Sequence, residues 1–336
     1  MLEKYLKLFV CFENMICLGI ESTAHTFGIG IITDKGKILA NVKESYVTEK
    51  GGIIPIEAAK HHEIVNSGVL ERALEGAKIK LEDIDLVAFS NAPGLPPCLK
   101  VGMEFGKELN KKLKVKLIPV NHCIAHLEIG KLVTGAKDPV FLYASGANTQ
   151  IIAFEGGRYR VFGETLDMGC GNFIDSFARY IGLGFPGGPK IYELSKNGKY
   201  VELPYVVKGM DVSFSGILTN LKQKYDNGIK KEDLAYSLQE TVFSMLIEVS
   251  ERAMAHCDKK ELLFGGGVCC NERLKEMGKI MCKERKGKCF IPKNDLLVDN
   301  GAQIGWLGIL MDKVGKIEKI DIKPYERTDD VEVKWR

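Results

Sequence analysis

One order of elements occurs twice along this chain, and a chain that repeats itself this way builds two similar units rather than one continuous sheet. The first copy starts with an apolar run, Ile16–Ile20, then a polar turn, Glu21–Thr26. Runs at Phe27–Ile32 and Lys37–Val42 follow, joined by Asp34-Lys35-Gly36, a hairpin signal. Helical periodicity over Pro55–Ala77, a buried strand at Leu86–Ser90, a helix over Leu99–Lys112 and a strand at Lys116–Val120 complete it. Asn121 then supplies an N-cap for a further helix. The second copy has Val140–Ala144, the turn Ser145–Thr149, and strands at Gln150–Phe154 and Tyr159–Phe162. Long helices follow, including Lys231–His256, then strands at Glu261–Phe264 and Cys289–Pro292 and a helix at Gly301–Met311. The copies share pattern, not residue identity. Strands alternating with helices predict an α/β fold in which helices cover mixed sheets. Two such lobes leave a cleft, a favoured place for ligands. The boundary falls in Thr134–Pro139, giving an extension over 1–14, an N-lobe over 15–138 and a C-lobe over 139–336, its last helix free to pack back on the N-lobe.

Composition agrees with two domains, since 336 residues divide into about two units of ~150. A hydrophobic fraction of 45% and a charged fraction of 27% exclude a disordered, collagen-like or coiled-coil chain. Lys plus Arg is 47 and Asp plus Glu 44, a net +3 too weak to mark a nucleic-acid protein by itself. The lysines at 107, 111, 112, 114 and 116 read first as a solvated helix face. The 10 cysteines include no C-x-x-C pair and several sit in apolar segments, so they read as buried thiols of a reducing cytoplasm. No run approaches the ~20 apolar residues of a membrane span. Leu8–Phe12 is too short for a signal-peptide core. Met15 directly precedes the first strand, so both Met1 and Met15 stand as starts.

Three constellations carry chemistry. In His122-Cys123-Ile124-Ala125-His126, positions i and i+4 share a helix face about 5–6 Å apart. Two imidazoles so placed can grip one metal ion, or can be unrelated, one capping and one packed. A metalloprotease would need His-Glu-x-x-His, and position 123 is Cys. Asp299, between a strand and a helix, is the best third ligand on chemistry, with a helix cap as the equal alternative. The second group is the glycine turns Tyr143–Thr149 and Phe264–Val268, which are either tight turns that packing requires or loops whose backbone N–H groups face an anion. Neither turn matches a P-loop or a dinucleotide fingerprint. The third, Gly184–Lys190, either lines a ligand or joins two helices. The pair His61-His62 reads as a solvated helix face.

These residues, taken with Gly19–Thr26, Gly52–Pro55, Ala59–His62, Ala92–Gly102, Asn121-His122, Gly187–Lys190 and Asp299–Ala302, resemble one family across nearly the whole chain. It is the tRNA N6-adenosine threonylcarbamoyltransferase family, formerly called O-sialoglycoprotein endopeptidase-like. The ending Tyr325–Arg336 is similar to the archaeal and eukaryotic branch, which works in the KEOPS complex. The resemblance implies duplicated ribonuclease-H-like lobes of the actin/hexokinase/heat-shock type around a central cleft. It implies transfer of threonylcarbamoyl from threonylcarbamoyl-adenylate to N6 of the adenosine 3′ of the anticodon in tRNAs reading A-starting codons, with release of AMP. It also implies one Fe²⁺ or Zn²⁺ and an adenine nucleotide, either the adenylate or ATP. Carried over by motif, His122, His126 and Asp299 are the catalytic metal ligands, with Tyr143 contributing. Nucleotide contacts fall on Tyr143, Ala144, Ser145, Gly146, Ala147, Asp175, Gly188, Tyr192, Glu193, Gly266, Gly267 and Asn271. Two positions depart from the family pattern. Tyr192 stands where many members have Glu, with Glu193 next, and Ala147 replaces the second glycine of a turn. Implied partners are tRNA, a small protein kinase, in some archaea fused C-terminally, a dimerising subunit and an accessory subunit, and no membrane. The rival readings are an actin-like-fold ATPase or small-molecule kinase, and a non-catalytic scaffold.

Overall fold

A computed structural model describes residues 14–48, 52–315 and 319–336. The run Leu8–Phe12 and, Asn14 apart, the 1–14 extension lie outside the described residues. In chain order the elements are β1 (Ile16–Glu21), β2 (Thr26–Thr33), β3 (Ile38–Ser45), α1 (Pro55–Ala77), β4 (Leu86–Ala92), α2 (Pro96–Leu113), β5 (Lys116–Asn121) and α3 (His122–Thr134). The second series is β6 (Val140–Ala144), β7 (Thr149–Glu155), β8 (Arg158–Glu164), α4 (Cys170–Tyr180), α5 (Gly187–Ser195), β9 (Val207–Lys208), β10 (Asp211–Val212), α6 (Ser215–Asp226) and α7 (Lys231–His256). It ends with β11 (Glu261–Gly265), α8 (Glu272–Glu284), β12 (Lys288–Phe290), α9 (Asn294–Leu297) and α10 (Gly301–Lys313).

The two main sheets repeat one topology. The first runs β3-β2-β1-β4-β5 and the second β8-β7-β6-β11-β12. In each, the opening three strands are antiparallel neighbours and the last two join in parallel. The β2–β3 hairpin closes at Gly36, whose φ of +80° suits a residue without a Cβ.

Alternation along the strands divides the core. Leu18, Ile20, Val87 and Phe89 face α1 and α2, against Val69, Ala73 and Phe105. On the other face Cys17, Leu86 and Ala88 join Ile124, Leu127, Ile304 and Leu307 and reach Phe141 and Leu263 of the second sheet. Thus α3 and α10 fill the space between the sheets, while α4 to α8 cover the far side of the second. Burial on both faces explains why β2 is buried at all eight positions.

The last helix, α10, lies against β1, β2 and β4 of the first sheet. Glycines on both elements permit this approach. A methyl on Gly19 would overlap the backbone of Gly301 and Gly305, and one on Gly30 that of Gly301 and Ala302. The chain then straps the two sheets from outside. Asn91 accepts from Lys323 N at 2.8 Å, Thr328 Oγ1 donates to Gln150 at 3.1 Å, and Trp335 Nε1 donates to Glu128 at 3.1 Å.

Two local expectations change. Gly187–Lys190 is the first turn of α5, not a connecting loop, because Asp175 Oδ1 accepts from Gly187 N at 2.7 Å and fixes the helix start. His62 is fully buried rather than solvated, bonded to the Ala24 carbonyl at 3.0 Å and packed on Phe27. Burial pushes its imidazole down to about 4, with the neighbouring His61 and His25 acting the same way against the Ala24 bond. It therefore donates as a neutral ring and anchors the Glu21–Thr26 turn. Among the described residues, no helix is long and apolar enough to cross a membrane.

Candidate metal centre

Two helix N-termini meet where the sheets face each other. Asn121 ends β5 and caps α3, its Oδ1 accepting from Cys123 N at 3.0 Å, so His122 enters on the first turn. One turn later His126 lies on the same face, with ring centroids 4.6 Å apart. Asn300 caps α10, its Oδ1 accepting from Gln303 N at 3.0 Å, and sets Asp299 just outside that helix. Asp299 Oδ1 stands 3.3 Å from Nε2 of both His122 and His126. Two ligands at the tetrahedral angle around an ion with bonds of about 2.1 Å would be about 3.4 Å apart. The observed spacing fits one ion, and all three donor atoms lie within 4.8 Å of one another. Asp299 also stands beside a helix cap, but Asn300 does the capping.

Charges in this pocket set one another. Burial by itself lowers the His122 imidazole, but the Glu21 and Asp299 carboxylates outweigh it and raise the ring well above its ordinary value. Burial prevails at His126, which stays neutral. Burial would raise Asp299, yet the two imidazoles hold it well below the usual carboxylate range. Tyr143 packs beside His126 at 5.1 Å between centroids, and burial, with the Cys123 thiol and the Asp299 carboxylate, keeps its phenol protonated.

Glu21 is the functional residue that motif reading missed. It is fully buried at the end of β1, and its Oε2 accepts from His122 Nδ1 at 2.7 Å. Its Oε1 accepts from Thr23 N at 2.7 Å and Thr23 Oγ1 at 2.5 Å. A carboxylate at the end of a continuous apolar strand was the available signal. The arrangement fixes the tautomer and ring plane of His122, presenting Nε2 to the ion site. Replacing Glu21 with Gln is expected to weaken metal retention about 10- to 100-fold while the fold persists. Metal titration of the purified variant, read beside its thermal melt, checks this.

The glycine turns come together as a second feature. A Cβ on Gly266, whose φ is +90°, would overlap the Ala144 carbonyl, so the turn after β11 lies directly on the turn after β6. Ser145 N and Asn148 N are closed within their own turn, whereas Gly146 and Ala147 sit exposed at its tip. Gly267 opens a 3-10 turn, and α8 starts later, capped by Asn271 through Arg273 N at 2.9 Å. The Asn271 Nδ2 donates to Gln239 at 2.6 Å, and Gln239 in turn donates to Ser195. Tyr192, Ser195, Tyr236, Gln239 and Arg273 line a cavity of about 520 Å³ between α5, α7 and α8. Asp175 and Gly188 meet at the start of α5, where burial pushes the Asp175 carboxyl up and the Gly187 and Gly188 amides act against it. Glu193 instead holds Lys196 at the surface, at 2.8 Å. Of the five lysines near the end of α2, Lys107 pairs with Glu104 at 3.0 Å and Lys116 with Asp312 at 2.6 Å, as a solvated face does.

Comparison with known proteins adds the following. The family model described as TsaD, tRNA N6-adenosine threonylcarbamoyltransferase, matches residues 37–306. The tRNA N6-adenosine threonylcarbamoyltransferase of Thermococcus sibiricus is 56% identical over 326 residues, covering 96% of this chain and all of that one. A probable bifunctional tRNA threonylcarbamoyladenosine biosynthesis protein of Methanocaldococcus jannaschii is 50% identical over 325 residues, covering 96% of this chain and 60% of that protein. Among solved structures, HypF of T. kodakarensis superposes with a TM-score of 0.62 at 16% identity, over 90% of this chain and 48% of HypF. Component A of (R)-2-hydroxyglutaryl-CoA dehydratase from Acidaminococcus fermentans gives 0.58 at 13% identity, over 90% of this chain and all of that one. At such identities the structural likeness concerns the fold alone.

Proposed function

The chain belongs to the tRNA N6-adenosine threonylcarbamoyltransferase family, and on that premise we propose how its residues divide the work of the reaction. It is a transferase of tRNA modification that places a threonylcarbamoyl group on adenosine N6, on duplicated lobes of the actin/hexokinase/heat-shock type. The donor is threonylcarbamoyl-adenylate, the acceptor is the adenosine 3′ of the anticodon, and AMP leaves. The lobes, residues 15–138 and 139–336, enclose the donor between them.

The observation that carries this division is the convergence of two imidazoles and one carboxylate in a buried pocket beside paired glycine turns. His122, His126 and Asp299 hold iron or zinc, with Tyr143 alongside, and the bound ion would polarise the carbamoyl carbonyl. Glu21 keeps His122 Nδ1 protonated and the ring oriented. Gly146 and Ala147 offer backbone N–H groups to the phosphate of the leaving AMP. The 520 Å³ cavity beside Asn271 takes the adenosine end of the donor, and Tyr192 there offers a hydroxyl in place of a carboxylate. Asp175 and Gly188 lie on the same route.

The Methanocaldococcus relative, longer than this chain and described as bifunctional, supports a protein kinase as working partner. We assign the dimerising and accessory KEOPS subunits to the same assembly and place it in the cytoplasm, where the buried free thiols stay reduced. A reconstituted assay with labelled threonine, tRNA and the donor-forming activity, with and without partner subunits, tests the reading. Label in tRNA that depends on this chain is expected. ATP turnover without tRNA label under every condition would overturn it in favour of an actin-like-fold kinase or ATPase.

A further inference from the structure

One ring contact between the two lobes lies outside the lining of the cavity and outside the metal-ligand cluster. His25, in the turn after β1, and Phe185, just before α5, bring their rings together from the two lobes at 6.2 Å and 84°. Both are half-buried. The His25 turn is held at three points: His62 bonds the Ala24 carbonyl at 3.0 Å, Leu95 N donates to the Thr23 carbonyl at 2.8 Å, and Thr23 clamps Glu21. Four residues span at most about 14 Å, so His25 lies within that reach of Glu21, the residue that orients His122. Phe185 is also tethered near its base, since Lys190 Nζ donates to the Leu183 carbonyl at 2.6 Å.

We propose that the His25–Phe185 ring pair seats the purine base of the acceptor nucleotide. The proposal rests on the transferase reading above. The acceptor N6 must leave its RNA stack to meet the donor, and an unstacked base is received on aromatic rings, histidine included. The cavity between α5, α7 and α8, assigned above to the donor's adenosine, is lined by neither His25 nor Phe185. The ring pair is therefore available to a second base. The flanks suit a nucleic-acid backbone. Arg179 is exposed at the end of α4, donates to Ser176 Oγ at 3.4 Å and reaches towards Gly52 of the other lobe. Lys190 is exposed on the first turn of α5. Cations so placed contact phosphates and set register, while the rings receive the base.

Phe185→Ala, assayed with partner subunits present, tests this. Stacking of one base supports about a tenfold or greater fall in kcat/KM for tRNA, mainly through KM. Binding of AMP without tRNA stays unchanged, and Phe185→Tyr restores the tRNA term. A tRNA carrying 2-aminopurine at the acceptor position gives an independent signal: its fluorescence changes on binding the wild type and not on binding Phe185→Ala. An unaltered KM with an unaltered fluorescence response in Phe185→Ala overturns the proposal, as does an equal loss of AMP binding, which would assign the rings to the donor. Because the fluorescence signal reports binding, it reads the base seat even if the wild type forms no labelled product, an outcome that counts against the transferase reading alone.

Discussion

A His122→Ala protein is expected to emerge without bound metal and with tRNA transfer reduced at least about a thousandfold, since a Lewis acid on a reacting carbonyl contributes several kcal/mol. The geometry makes the loss steep. His122 supplies one of three donor atoms around a single point, and its Nε2 stands 3.3 Å from Asp299 Oδ1. Its removal also strips a buried partner from Glu21, whose Oε2 accepts from His122 Nδ1 at 2.7 Å. A buried carboxylate oxygen left without its partner costs about 1–3 kcal/mol, so the alanine variant should melt lower as well. Asp299→Asn separates the two effects, because it keeps the shape of the side chain and leaves Glu21 paired. Metal content by mass spectrometry, transfer of labelled threonine and a thermal melt are measured on each variant. Normal transfer by metal-free His122→Ala would falsify the metal role.

The second large effect is on the fold. Gly30→Leu is expected to cost about 4 kcal/mol or more, above the usual 1–3 kcal/mol of overpacking. The reason is the identity of the neighbours. A Cβ at Gly30 meets the backbone of Gly301 and Ala302, which cannot swing aside as a side chain can. At about 2–4 °C per kcal/mol, the melt should fall by about 10 °C, or the protein should fail to express. Because Asn300 caps α10 and Asp299 directly precedes that cap, displacement of the helix also moves a metal ligand, so metal retention should fall with the melt. Gly68→Ala is the contrasting control. Gly68 lies inside α1 with only the end of Arg72 nearby, at 3.7 Å, so the substitution should stabilise by about 0.5–1 kcal/mol. A Gly30→Leu protein melting like the wild type would contradict the packing described here.

Much of the architecture was open to reading in the residues. The repeated order from Ile16 and again from Val140 predicted the two matching sheets, since buried strands and amphipathic helices carry distinct periods. Local chemistry also sufficed at α3, where Asn121 announces the helix and the i, i+4 spacing puts His122 and His126 on one face. The motifs that resemble the family carried the activity, which the family model and the relatives support.

Other features depend on contacts that no local pattern encodes. The first turn of α5 read as a loop because Gly187-Gly188-Pro189 looks like a breaker, and the bond from Gly187 N to Asp175, twelve residues earlier, overrides it. His62 read as solvated because its neighbour His61 shares its polarity, yet successive helix residues point about 100° apart and His62 faces the Ala24 turn. Glu21 read as part of a turn because its partner lies 101 residues away.

By itself the sequence determined the duplicated strand order, the helix that pairs two imidazoles, and the family, because each of these is written in short-range periodicity or in contiguous motifs. Only the tertiary structure decided that Asp299 stands equidistant from both rings, that Glu21 orients one of them, and that His25 meets Phe185 across the cleft. The first two placements come from glycine-lined docking of α10 on the first sheet and from the packing of α3 and α10 between the sheets. Close approach of this kind joins residues separated by more than a hundred positions, and spacing along the chain carries no information about it.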